Sequence, residues 1–285
     1  MATLKIKPTT RKIKWLFKSV ILFKNYPING ELRNIPKTKM NSEIWIEMNK
    51  LFRFNLKYLT LRGLIRSPIL ETVTGPHLIN YQISKDMGSK RNRETAANYY
   101  SQIFDIDVCK FHNGLNYYLI ILSELFDDID FRFVNGSKIL QVGPGIGLLD
   151  LFLSLEGAEM YSFETHEMRI LQNLIASEVQ AIDKSTSFKY EDFTKLSEPF
   201  GVISFFAFTE MDLDTRTNLL SIFERADWLV IVSNYLFEGI ENFSYLESTL
   251  NDSFKIAKKI KIGDLDILGM PNFARQHVAY LFLKR

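Results

Sequence analysis

Three glycines at alternate positions between an apolar strand and an apolar helix constrain this chain more than any other feature. Lys138-Ile139-Leu140-Gln141-Val142 reads as a buried strand. It runs directly into Gly143-Pro144-Gly145-Ile146-Gly147, and Leu148-Leu149-Asp150-Leu151-Phe152-Leu153 then reads as a helix. Glycine lets the backbone of such a turn come close to a ligand. The turn also aims the first helical amides, and the positive end of the helix dipole, at the ligand's polar groups. A dinucleotide fingerprint needs glycine at the first, third and sixth positions of the turn. The sixth here is Leu148, which weighs against an NAD-linked oxidoreductase.

From residue 137 onward, short apolar stretches alternate with amphipathic ones. The pattern predicts strands at 138–142, 159–164, 186–190, 201–207, 228–233 and 277–283, and helices at 147–156, 167–180, 211–224 and 240–251. Strand and helix alternating at this spacing imply βαβ units: an α/β, Rossmann-like fold with a mostly parallel sheet and helices on both faces. The region before it differs, with helical spacing at 11–24, 43–63 and 94–126 and a loop-rich stretch between 72 and 92. The expected organisation is therefore a mainly helical region, 1–136, followed by a nucleotide-binding domain, 137–285.

Two strand ends carry acids where a nucleoside would need them. Glu164 closes the second strand, 17 residues past Gly147, where a carboxylate can accept hydrogen bonds from ribose hydroxyls. After the third strand come Glu191-Asp192-Phe193, where Asp192 can accept from an adenine amino group while Phe193 packs on the ring.

Together the G-x-G-x-G turn, the strand-helix order and these acids resemble the class I S-adenosylmethionine-dependent methyltransferases. The resemblance covers residues 137–285. It implies a seven-stranded sheet whose last strand, His277 to Leu283, inserts antiparallel, and S-adenosylmethionine as cofactor. Gln141, Gly143, Pro144, Gly145, Gly147, Glu164, Asp192 and Phe193 would then hold that cofactor. A narrower likeness lies in Phe200 to Met211 and in Trp228 to Tyr235, which are similar to the strand-four and strand-five segments of the bacterial sugar O-methyltransferase family. That likeness implies a sugar or glycan acceptor, free or phosphate-bearing, in surface-polysaccharide synthesis. Two positions depart from the patterns. Gln141 stands where motif I commonly has Glu or Asp, and Ala207 where the family has serine. A catalytically silent binding subunit is therefore one alternative, because an uncharged amide attracts the methionine ammonium less strongly.

The sulfonium cofactor is already an activated methyl donor, so a sugar hydroxyl needs positioning and a base. Glu210, at the end of strand four, is the first candidate for that base; capping of the following helix is its structural alternative. His277, at the start of the last strand, and His112, in the N-terminal region, are further candidates. No His/Asp cluster at ligand spacing suggests a metal.

Charge separates the two regions. Residues 1–66 hold 15 Lys/Arg against Glu31, Glu43 and Glu47, a net of +12, so the remaining residues, with 20 basic and 30 acidic side chains, carry −10. An anionic partner should therefore meet the N-terminal part. It could be a phosphate-bearing sugar or an anionic membrane surface contacted by the 11–24 segment. Nucleic acid is the third option. The absence of an Asp/Asn-Pro-Pro-aromatic turn after strand four argues against base N-methylation there. Lysines at 5, 7, 12 and 14 break up any signal-like apolar core, and no apolar run reaches the ~18 residues of a membrane span. The expected location is cytoplasmic, including the inner face of the membrane. The one cysteine, Cys109, excludes an internal disulfide and is expected to pack as a small apolar residue.

Overall fold

The computed structural model describes residues 87–186, 188–267, 270, 272 and 274–285. The basic segment 11–24, the 43–63 helix and the rest of residues 1–86 lie outside the described residues.

Two helices, α1 (Lys90–Phe104) and α2 (Val108–Phe126), precede the sheet. The single helical stretch expected from 94 to 126 is broken at Asp105, which adopts a left-handed φ of 54°, and Asp107 caps a new helix by accepting from the Cys109 amide. Cys109 is consequently exposed in the first turn of α2, not packed inside.

The strands are β1 (Lys138–Val142), β2 (Glu159–Phe163), β3 (Glu191–Asp192), β4 (Gly201–Phe205), β5 (Trp228–Ser233), β6 (Leu236–Phe237), β7 (Ile240–Glu241), β8 (Phe254–Lys261) and β9 (Val278–Lys284). Four helices lie between them: α3 (Leu148–Leu155), α4 (His166–Ile182), α5 (Leu213–Phe223) and α6 (Asn242–Leu250). Seven strands form one sheet in the order β3-β2-β1-β4-β5-β9-β8, and β6 and β7 form a separate hairpin. Only β9 runs against the rest, paired antiparallel to β5 on one side and β8 on the other. The fold is Rossmann-like α/β with a reversed strand near one edge.

Two features differ from the sequence reading. The third strand is Glu191–Asp192, paired with Tyr161 and Ser162, and not 186–190. Phe188 and Tyr190 instead turn inward, Phe188 into the core and Tyr190 onto Asp150. The edge strand β8 was not located in the sequence, although the resemblance implied a seventh strand; Lys255, Ile256, Ala257, Lys259 and Lys261 along it are exposed.

Both faces of the sheet are covered by apolar side chains. One buries Ile139, Ile203 and Val230 against Tyr100, Phe111, Leu119, Phe152 and Leu171 of α1 to α4. The other buries Leu140, Val142, Val202 and Ile231 against Leu219 and Phe223 of α5 and Leu246 of α6. Alternate residues of β1 thus enter opposite cores, as the period of two requires. Each large apolar side chain so enclosed contributes roughly 1.5–3 kcal/mol. Helices α1 and α2 share the first core, so residues 87–126 pack as part of the sheet's own layer.

Candidate active site

Strand β1 lies between β2 and β4, the point where the strand order reverses, and the glycine turn leaves its carboxyl end there. Open α/β sheets bind ligands at such a crevice. All three turn glycines adopt positive φ: 69° at Gly143, 58° at Gly145 and 77° at Gly147. Two are also crowded. A Cβ at residue 143 would collide with the Ala207 methyl, and one at 147 with the Tyr190 hydroxyl.

The turn's carbonyls are held from behind. The Tyr100 hydroxyl donates to Ile146 O at 2.5 Å, the Gln172 amide to Gly145 O at 2.8 Å, and the Gly147 amide to Pro144 O at 3.0 Å. The first amides of α3 are left without intrahelical partners. Three fully buried acceptor atoms around the turn, Gln141 Oε1, Asp150 Oδ1 and Gln172 Oε1, have no hydrogen-bond partner among the described residues. Buried acceptors of this kind normally meet a donor.

Glu164 follows β2, and one of its carboxylate oxygens accepts from the Thr165 amide at 2.8 Å. The Asp192 backbone pairs beside Ser162, one residue short of the end of β2, and Phe193 begins the next turn with its ring edge-on to Phe163 at 5.7 Å. Gln141, Gly143, Gly145, Gly147, Glu164, Asp192 and Phe193 therefore all lie at or next to the carboxyl ends of three adjacent strands.

Two groups were not singled out in the sequence. Asp150, in the first turn of α3, is fully buried, and burial pushes its carboxyl up to about 8 even though the Tyr190 hydroxyl donates to it. Their signal was a charged residue inside an otherwise apolar helix.

Beyond β4 the chain turns sharply. Phe206 has a φ of 67°, rare for a bulky residue and a form of strain found at functional sites. A short 3₁₀ turn, Ala207–Glu210, follows. Glu210 does not cap α5; Asp212 does, accepting from the Thr215 amide at 2.9 Å. Burial raises the Glu210 carboxyl to about 7 against the opposing pull of Arg216, and the Asn234 amide donates to it at 3.3 Å. A carboxylate in that range is matched to proton abstraction near neutral pH.

His277 reaches the same edge, since Val278 pairs with Ser233 at the end of β5. Its ring packs against Phe206 at 4.6 Å, and burial lowers its pKa to about 4. It is neutral at pH 7 and a weaker base than Glu210. His112 lies in α2, six residues before Tyr118, whose ring meets Phe205 at the end of β4 at 4.6 Å. At 1.5 Å per residue that separates them by ~9 Å along the helix. Trp228, at the opposite end of the sheet, touches Phe126 at the end of α2, so His112 is on the carboxyl side. Among the described residues no cluster of three or more His, Cys, Asp or Glu could hold a metal ion, and no helix is long and apolar enough to cross a membrane.

No protein-family model and no curated protein matches the chain. Solved structures do show likeness. The magnesium protoporphyrin IX methyltransferase of Synechocystis, with bound S-adenosylmethionine, is 14% identical over 80% of this chain and 98% of its own, with a TM-score of 0.44. An rRNA methylase of Escherichia coli is 16% identical over 69% of this chain and 77% of its own, at 0.42. A SAM-dependent methyltransferase of Aquifex aeolicus is 16% identical over 52% and 83%, at 0.36. Likenesses of this size carry no argument about chemistry, which has to be argued from the site.

Proposed function

We propose that this chain is an S-adenosylmethionine-dependent methyltransferase acting on a hydroxyl, with a sugar or glycan as acceptor. The observation that carries the reading is the glycine turn at the strand-order reversal: three left-handed glycines with their carbonyls tied back, and Glu164 beside them at the end of β2. The unpartnered acceptors Gln141 Oε1 and Gln172 Oε1, joined by Asp150 Oδ1 when that carboxyl is ionised, fit a ligand bearing N–H donors, such as an amino-acid ammonium. Asp150 also bears on the substitution at 141, because it keeps an ionisable carboxyl against Gly147.

The cofactor, when bound, supplies an activated methyl group. The turn amides, the strand-end residues Glu164 and Asp192 and the Phe193 ring would hold and orient it. Glu210 takes the acceptor's proton as the new bond forms. The sugar acceptor rests on the Phe208-Thr209-Glu210-Met211 and Val232-Ser233-Asn234 segments, which the structure brings together through the Asn234–Glu210 hydrogen bond.

Calorimetric titration with S-adenosylhomocysteine, and separately with NAD, tests the reading. Micromolar binding of the first alone, lost in Gly145→Arg and weakened at least tenfold in Glu164→Ala, is expected. Absence of S-adenosylhomocysteine binding by the folded wild-type chain would sink it. Nucleotide sugars and glycans are then the acceptor pool to screen.

A further inference from the structure

A fully buried arginine whose hydrogen bonds, among the described residues, go to two backbone carbonyls and an amide oxygen lies behind the loop that carries Glu210. Arg216, in α5, donates from Nε to Met211 O at 2.9 Å and from a terminal nitrogen to Thr209 O, thereby gripping the backbone on both sides of Glu210. Its other terminal nitrogen donates to Asn242 Oδ1 at 2.8 Å, at the start of α6. Asn242 Nδ2 donates to Asn234 Oδ1 at 2.7 Å, and Asn234 Nδ2 donates to Glu210 Oε1 at 3.3 Å.

The direction of this chain follows from chemistry. A guanidinium has no acceptor, so Asn242 must present its oxygen to Arg216 and can offer only its nitrogen to Asn234. Asn234 must then accept with its oxygen, which leaves its nitrogen for Glu210. Every amide orientation is fixed by the one residue that cannot reverse.

We propose that Arg216, Asn242 and Asn234 form a one-way donor relay that aims the Asn234 amide and the Glu210 carboxylate at the acceptor, making all three positioning residues for the base. The proposal rests on Glu210 as that base. It explains a buried cation in α5 that cofactor binding does not require. A donor ending on Glu210 favours its ionised form and opposes the effect of burial. The other charged or titratable groups around the network are Asp212 beside α5, Glu238 in the β6–β7 hairpin and Tyr245 of α6, whose ring lies under the Arg216 guanidinium at 5.1 Å, with His277 across Phe206.

The test follows the Glu210 carboxyl carbon by NMR through a pH titration of the full chain labelled at glutamate, with the signal assigned by its loss in Glu210→Gln. Asn234→Ala removes the last donor, and its titration midpoint should rise by about one pH unit. Asn242→Leu, whose native hydrogen bonds go to Arg216 and Asn234, should move it in the same direction. The double variant should add nothing to Asn234→Ala, as for members of one network. Thermal unfolding confirms that each variant is folded. An unchanged midpoint in folded Asn234→Ala, or independent additive shifts, would overturn the relay; the first criterion stands even if Asn242→Leu does not fold. S-adenosylhomocysteine calorimetry on the same samples separates this outcome from failure of the methyltransferase reading, because the titration needs no ligand.

Discussion

Tyr190 donates its hydroxyl to the buried carboxyl of Asp150 at 2.9 Å, and the same oxygen fills the space in front of the Gly147 α-carbon. One aromatic side chain thus serves both the turn and a buried carboxyl that packs against it. The Asp150 carboxyl is raised to about 8 in the folded chain, against 3.8 ordinarily, so it stays protonated well into neutral pH. A raised acid contributes stability that is fully present below its unfolded pKa and is lost as pH rises through the folded value. The isosteric, non-titrating Asp150→Asn should therefore gain on the wild type between pH 5 and 9, by several degrees in Tm. Melting curves across that range check it, and a difference independent of pH would show that Asp150 does not titrate there.

Gly143→Ala adds a methyl group where Ala207 already stands, at a φ of 69°. A loss of several degrees in Tm and at least tenfold weaker S-adenosylhomocysteine binding are expected. Pairing it with Ala207→Gly removes the collision but not the backbone strain, so the double variant should recover only part of the stability. Full recovery would mean that the positive φ costs nothing.

His277 is held neutral by burial against Phe206, with its pKa lowered to about 4. Stability from burying the neutral ring is present above the ordinary 6.5 and lost as pH falls through about 4. The ring's Cε1–H resonance should titrate with a midpoint near that lower value. A midpoint near 6.5 would place the ring in water and reopen its candidacy as a base.

Cys109 is exposed in the first turn of α2, and the neighbouring Asp107 raises its thiol pKa. The native chain should react with one equivalent of a thiol reagent, slowly at pH 7 and faster as pH increases. A thiol released only on denaturation would show that this turn is covered.

The sequence made the glycine turn legible because strand, glycines and helix are contiguous, and the strand-end acids because parallel strands finish on one side. Strand β8 was missed for a physical reason. An edge strand guarded by Lys255, Lys258, Lys259 and Lys261 lacks the apolar run that marks an inner strand, and its charges reflect protection against edge pairing. The third strand was displaced because Phe188 and Tyr190 look like strand residues, yet their side chains are drawn onto the core and Asp150. Residues Arg216 and Asn242 could not be connected to Glu210 from spacing alone. Their meeting depends on α5 and α6 packing on the same face of the sheet, a tertiary fact.

Strand β9 sits between β5 and β8, although the ribosome makes it after both. Until it arrives, β8 has no partner in the sheet and β5 keeps an open apolar flank. Closure of the site's far wall, where His277 meets Phe206, therefore waits on the last strand of the sheet to be synthesised. A nascent chain arrested before residue 278 would present its lysine-studded β8 as a loose, soluble arm and not as a template for aggregation.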